Sequence, residues 1–161
     1  ANPEVETGFR YGLPKPARAY AVDLAIYCYI VHILRDLAKD AGQSPRLITI
    51  PTDLLSRAGL EREGLGQALA EKSPAIGVLA GLLIERAVPF RAAGHASLAE
   101  IGGHLGFVER TALRGLIAVY DRLFESAGKD ALAVALNGPA MEEVLRRDLL
   151  RLDDGDEDRD R

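Results

Sequence analysis

Asp36 and Asp40 stand four residues apart in a stretch, Tyr20 to Ala41, that holds no glycine or proline. In a helix that spacing puts both carboxylates on one face, one turn apart. Ile33, His32 and Tyr29 continue the same face toward the N-terminus, while Leu24, Cys28, Val31 and 34–38 form a stripe that can enter a core. Two carboxylates at the polar end of an apolar helix can hold Mg²⁺ against the phosphates of a ligand; the alternative is a solvated helix end. His32, one turn before Asp36, reads either as half of an acid–base pair or as a histidine satisfied by its neighbour. His95 and His104 share no metal-ligand spacing, and the serines sit at helix ends or surfaces without a nearby base. No residue is therefore assigned as catalytic. Asp154 and Asp158 repeat the carboxylate spacing but lack an apolar face beside them, so they read as a solvated tail.

The elements that must position these groups are helical. The chain has 161 residues, 48% hydrophobic but only 6% aromatic and without tryptophan, which is the composition of an Ala/Leu-rich helical protein. Residues 1–16, with three prolines and two glycines, form an irregular lead-in, and 17–152 make a single helical domain. The first helix spans about Ala17 to Ala41. A loop through Leu47–Ile50 follows, then a short helix capped by Thr52, and another within 61–72. Ser73-Pro74 starts a long helix reaching about Ala93, with a kink expected from Pro89 near Glu85–Arg86. Ser97 to Glu100 spells a capping box for a turn or two more. The next helix, about Phe107 to Ser126, has Leu113, Leu116, Ile117, Tyr120, Leu123 and Phe124 as its inward stripe. Arg110, Arg114 and Arg122 alternate with Glu109, Asp121 and Glu125 on a face read as solvated. A short helix over 130–136 and a last one from Pro139, carrying Met141, Val144, Leu145 and Leu149, complete an all-α fold.

Charge and cysteine usage narrow the class. Residues 153–161 hold six acids and two arginines, the whole net charge of −4, and are expected to be disordered. The rest of the chain balances at 18 acidic against 18 basic residues, so no basic excess points to nucleic acid. Cys28, alone inside the apolar helix, offers neither a disulfide nor a thiolate metal site. With no apolar run reaching spanning length and no signal peptide in view, a soluble cytoplasmic protein is the expectation.

The run His32-Ile33-Leu34-Arg35-Asp36-Leu37-Ala38-Lys39-Asp40, then Arg46, then Ile50-Pro51-Thr52-Asp53-Leu54-Leu55 and Ala58-Gly59-Leu60, resembles the second aspartate-rich motif of the squalene/phytoene synthase family. That pattern reads Q-x-x-N-I-L-R-D-x-x-E-D, then G-R-x-Y-L-P, then an acidic-apolar helix ending A-G-L; two extra residues separate Asp40 from Pro51 here. Ala19, Leu24 and Ala25 upstream, Glu85-Arg86-Ala87 with Phe90 and Ala93, and Tyr120 to Leu123 extend the resemblance over about 17–150, the family's C-terminal half. It implies a helical bundle of the isoprenoid-synthase type, with a cavity in which two aspartate-rich motifs hold Mg²⁺ on prenyl diphosphates that condense head to head through a cyclopropyl intermediate. Carried over, Asp36 and Asp40 would bind the metal, Arg46 and Arg35 the diphosphate, and Tyr29 and His32 would line the pocket, with Lys39 counted among the substrate-binding residues.

The departures fall on that chemistry. Lys39 replaces the family's Glu, Tyr29 its Gln, His32 its Asn and Ala25 a Gly, and the Tyr after the loop Arg has no clear counterpart. An ammonium between the two carboxylates opposes a divalent cation and offers itself as their partner, so Mg²⁺ binding should be weak or lost. The first aspartate-rich motif is not in this chain. A prenyl diphosphate or isoprenoid lipid, held in a helical cavity, is the expected ligand; if active, the protein would be a Mg²⁺-dependent prenyl transferase, with this chain alone inactive. The alternatives are a non-catalytic binding or assembly module and a plain helical interaction domain. A half-bundle also leaves Ile26, Tyr29, Ile30 and Ile33 uncovered, which points to a homodimer or to a partner chain supplying helices, with peripheral membrane contact as a further option.

Overall fold

Pro16 has no N–H to lose and nothing breaks the chain before Gly42, so one helix, α1, runs over Ala17–Gln43 and ends where Ser44 turns extended. The computed structural model describes residues 12–47 and 49–156, with backbone alone at Pro45 and 149–156. A 3₁₀ turn, Pro45–Leu47, leads to two short helices, α2 (Thr52–Arg57) and α3 (Leu65–Ala70), and then to α4 (Pro74–Gly102), α5 (Phe107–Lys129) and α6 (Ala131–Asp156). No strand occurs among the described residues, and the protein is an all-α helical bundle.

Helices α1 and α4 form its centre. They are antiparallel: Tyr20 of α1 bonds Glu100 near the end of α4, and Leu24 meets Gly94. A Cβ on Gly94 would sit 2.9 Å from the Leu24 Cα, so only glycine lets the two backbones approach this closely. Tyr27, Val31, Leu34 and Leu37 from α1 meet Ile76, Leu79, Leu83 and Ala87 from α4, all nearly inaccessible to water. Leu54 and Leu55 of α2, Leu65 and Leu69 of α3 and Ile50 close one side; Val119 and Leu123 of α5 and Val134 and Ala135 of α6 close another. Each valine, leucine or isoleucine among them contributes about 1.5–3 kcal/mol when taken out of water.

Local signals were overridden in several places. Helix α4 does not stop near Ala93: it continues through Pro89 and Ser97 to Gly102, and the capping box does not form. Contacts on both sides of Pro89, at Leu83 and Ala87 and again at Gly94, outweigh the roughly 3 kcal/mol that an internal proline costs. Ser73 does cap α4, accepting from the Ala75 N–H at 3.4 Å. Thr52 is not a cap; Pro51 precedes the helix and Thr52 is its first residue. On α5, Leu116 is 49% exposed and Val119 is buried in its place. The expected break before Pro139 is a single non-helical residue, Asn137 (φ −129°, ψ 16°), inside α6. Helical backbone continues through Asp156, so 153–156 are not the disordered tail expected; 157–161 lie outside the described residues, as do 1–11 of the lead-in. Finally, α1 is long and apolar enough, by length and composition alone, to cross a membrane, against the expectation that no run reaches that length; 33% of its most apolar stretch is buried within the bundle.

Candidate functional site

The second half of α1 carries most of the residues singled out by the sequence, but it divides them into two groups. Asp36 lies opposite the Tyr20–Tyr27 stripe and would be exposed on an isolated helix. It is only 4% exposed, and α6 crosses α1 beside it. Gly138 makes the crossing possible, because a Cβ there would fall on the Arg35 carbonyl oxygen. Glu142, one turn further along α6, then accepts from Arg35 Nη1.

Both oxygens of Asp36 are occupied. Arg35 donates from Nε to Oδ1 at 2.8 Å and from Nη2 to Oδ2 at 3.0 Å, and Lys39 Nζ donates to Oδ2 at 3.1 Å. The Arg35 Nη2 also reaches His32 Nδ1 at 2.6 Å, which places the ring proton on Nε2, 3.5 Å from Asp36 Oδ2. Hydrogen bonds from Arg35, reinforced by Lys39, hold the Asp36 carboxyl below the ordinary carboxylate range despite burial, and the same pairing raises Arg35. Arg35 is therefore committed to Asp36 and Glu142.

Asp40 belongs to the other group. With Tyr29, His32, Ile33, Leu37, Leu47 and Thr49 it lines a shallow pocket of about 160 Å³. Tyr29 is 52% exposed and donates to Thr49 Oγ1 at 3.1 Å across the pocket mouth. Asp36 does not line this pocket, so the two carboxylates share a helix face but not a site. Arg46 stands apart on the 3₁₀ turn, exposed, its backbone N–H bonded to Ser44 Oγ.

A Mg²⁺ ion would need Asp36 and Asp40 together, with oxygens to spare. Arg35 and Lys39 already supply the positive charge Asp36 requires, and among the described residues no three His, Cys, Asp or Glu side chains converge as a metal centre. These residues do not fit the metal.

A second polar cluster went unrecognised in the sequence. Asp121 is not on a solvated face: it accepts from the Tyr27 hydroxyl at 2.8 Å and from Arg91 Nε at 2.8 Å, and pairs with His95 Nε2 at 3.1 Å. Tyr27 is fully buried, its ring edge-on to Phe124, and burial first, then Asp121, pushes its hydroxyl well above the ordinary range. Burial alone would raise Asp121, but Arg91, Tyr27 and His95 more than offset it and leave the carboxyl low. The available signal was the spacing Ile117, Asp121, Phe124, which puts Asp121 on the inward stripe of α5.

No protein-family model, no curated protein and no solved structure matches this chain.

Proposed function

We propose that this chain is a non-catalytic binding or assembly module of the squalene/phytoene-synthase type, in which the second aspartate-rich motif has become an internal ion-pair cluster. The observation that carries this reading is the buried Asp36, with both oxygens held by Arg35 and Lys39. A carboxylate so neutralised serves to lock α1 to α6 through Arg35 and Glu142. The pocket at Tyr29 and His32, about 160 Å³, is smaller than the roughly 300–1,000 Å³ of typical small-ligand sites, which argues against a prenyl chain held there. The partner surface under this reading is the open face of α1, where Val22 is 41% and Tyr29 52% exposed beside half-buried Ile26 and Ile33. Its occupant would be a second copy or a separate helical chain.

A second reading, retention of a prenyl diphosphate without turnover, is favoured by Arg46, whose guanidinium has no ion-pair partner among the described residues. Calorimetric titration of the chain with farnesyl diphosphate, with and without Mg²⁺, separates the two. The module reading expects no Mg²⁺-dependent binding. Tight Mg²⁺-dependent binding, or a hydrocarbon or cyclopropyl product abolished by Asp36→Ala, would overturn it.

A further inference from the structure

Where α2 lies on α4 there is a groove of about 420 Å³, within the size range of small-ligand sites. Leu82, Pro89 and Phe90 of α4 give it an apolar lining, Leu54 of α2 being only 2% exposed, and Arg57 from α2 and Arg86 from α4 line it as well. Neither guanidinium has an ion pair or hydrogen bond among the described residues, and neither does Glu85, the one acid lining the groove. The contrast with the groove of about 400 Å³ between α4 and α5 is instructive. There the lining arginine, Arg91, is already neutralised by Asp121 and Glu125. Of these two grooves, the α2–α4 one alone combines an apolar lining with positive charge that no ion pair among the described residues compensates.

We infer that this groove binds a long-chain amphiphile whose head group carries a single negative charge, the chain lying on Leu82, Pro89 and Phe90 and the head between Arg57 and Arg86. Guanidinium groups take a carboxylate or a phosphodiester through paired N–H donors, and two of them from different helices make the recognition directional. Glu85 sets the charge limit. One anion meets a net charge of +1, whereas a phosphate monoester or a diphosphate would bring its further charges against the Glu85 carboxylate. The ligand class is thus distinct from a prenyl diphosphate, and the site uses none of the residues around Asp36.

The test is calorimetric titration of the chain with dodecanoate below its micelle concentration, and in parallel with lysophosphatidylglycerol, dodecyl phosphate and farnesyl diphosphate. Saturable one-to-one binding of a monoanion is expected, and whichever of dodecanoate and lysophosphatidylglycerol binds tighter identifies a carboxylate or a phosphodiester head. Arg57→Ala and Arg86→Ala should each weaken that binding about tenfold or more, the loss expected for a hydrogen bond to a charged group. Both side chains are exposed, and unchanged circular-dichroism melting would confirm intact folds. Glu85→Gln should bring dodecyl phosphate up to the affinity of dodecanoate. Absence of saturable binding by both monoanions, or binding unchanged in the Arg57→Ala/Arg86→Ala double variant, would overturn the site. Tighter binding of dodecyl phosphate or farnesyl diphosphate by the unaltered chain would overturn the single-charge assignment.

Discussion

The Tyr27 hydroxyl donates to Asp121 at 2.8 Å, a bond between residues 94 positions apart that joins the central helix α1 to α5 inside the bundle. Arg91 and His95 bring α4 to the same carboxylate, so three helices meet on one acid.

Tyr27→Phe keeps the ring and its contact with Phe124 but removes the donor. A hydrogen bond to a charged group contributes about 1.5–3 kcal/mol, and the variant should lose that much stability in chemical denaturation. A loss within experimental error would mean that Arg91 and His95 satisfy Asp121 unaided.

Acid should unfold the protein through Asp36 and Asp121. Both carboxyls titrate below their ordinary value of 3.8 when folded, so the unfolded chain takes up protons first and stability rises with pH through this region. Their contribution is fully present above 3.8 and disappears as pH falls through the lower folded values. Denaturation midpoints measured from pH 6 down to about 2 should fall in this window, and Asp36→Asn should flatten the descent. An unchanged acid limb in that variant would remove Asp36 from the account.

Much of this arrangement could be read from the chain, and the part that could not has a common cause. Helix α1 and the Ser73-Pro74 start of α4 follow from local composition, because breakers are absent from one and a cap opens the other. The burial of Asp36 is not written in the periodicity of α1, since it depends on where α6 crosses. Lys39 could be foreseen as a partner for Asp36, being one turn away; Glu142, 107 residues from Arg35, could not. The continuation of α4 through Pro89 likewise depends on what α1 offers on either side.

Two glycine substitutions should have opposite signs. Gly138→Ala places a methyl group on the Arg35 backbone, where neither helix can yield cheaply, and should destabilise by about 1–3 kcal/mol or more. Gly81→Ala, inside α4 with nothing within 4 Å of the added carbon, should stabilise by about 0.5–1 kcal/mol. Thermal melting of the pair checks both; a neutral Gly138→Ala would contradict the close crossing of α1 and α6.

Lys39→Glu replaces one of the cations on Asp36 with the carboxylate that the proposed squalene/phytoene-synthase descent would place there. Mg²⁺ affinity should rise, though Arg35 still holds Asp36. Calorimetry showing no gain would mean that Arg35 alone closes Asp36 to metal.

If the open face of α1 is covered by a second copy, Tyr29→Glu should dissociate the pair without unfolding either chain, since Tyr29 is half exposed. Light scattering at micromolar concentration is the readout. A well-folded monomer before substitution would rule out the homodimer and leave a different partner for this face.

The apolar length of α1 has a consequence for synthesis. Its main packing partner, α4, begins only at Pro74, well after α1 is complete at Gln43. On the ribosome the nascent chain therefore passes through an interval in which a helix of membrane-spanning length has left the exit tunnel without the surface that will shield it. Chaperones and membrane-targeting factors compete for such a segment. Slower translation from Ser44 to Gly102 lengthens that interval.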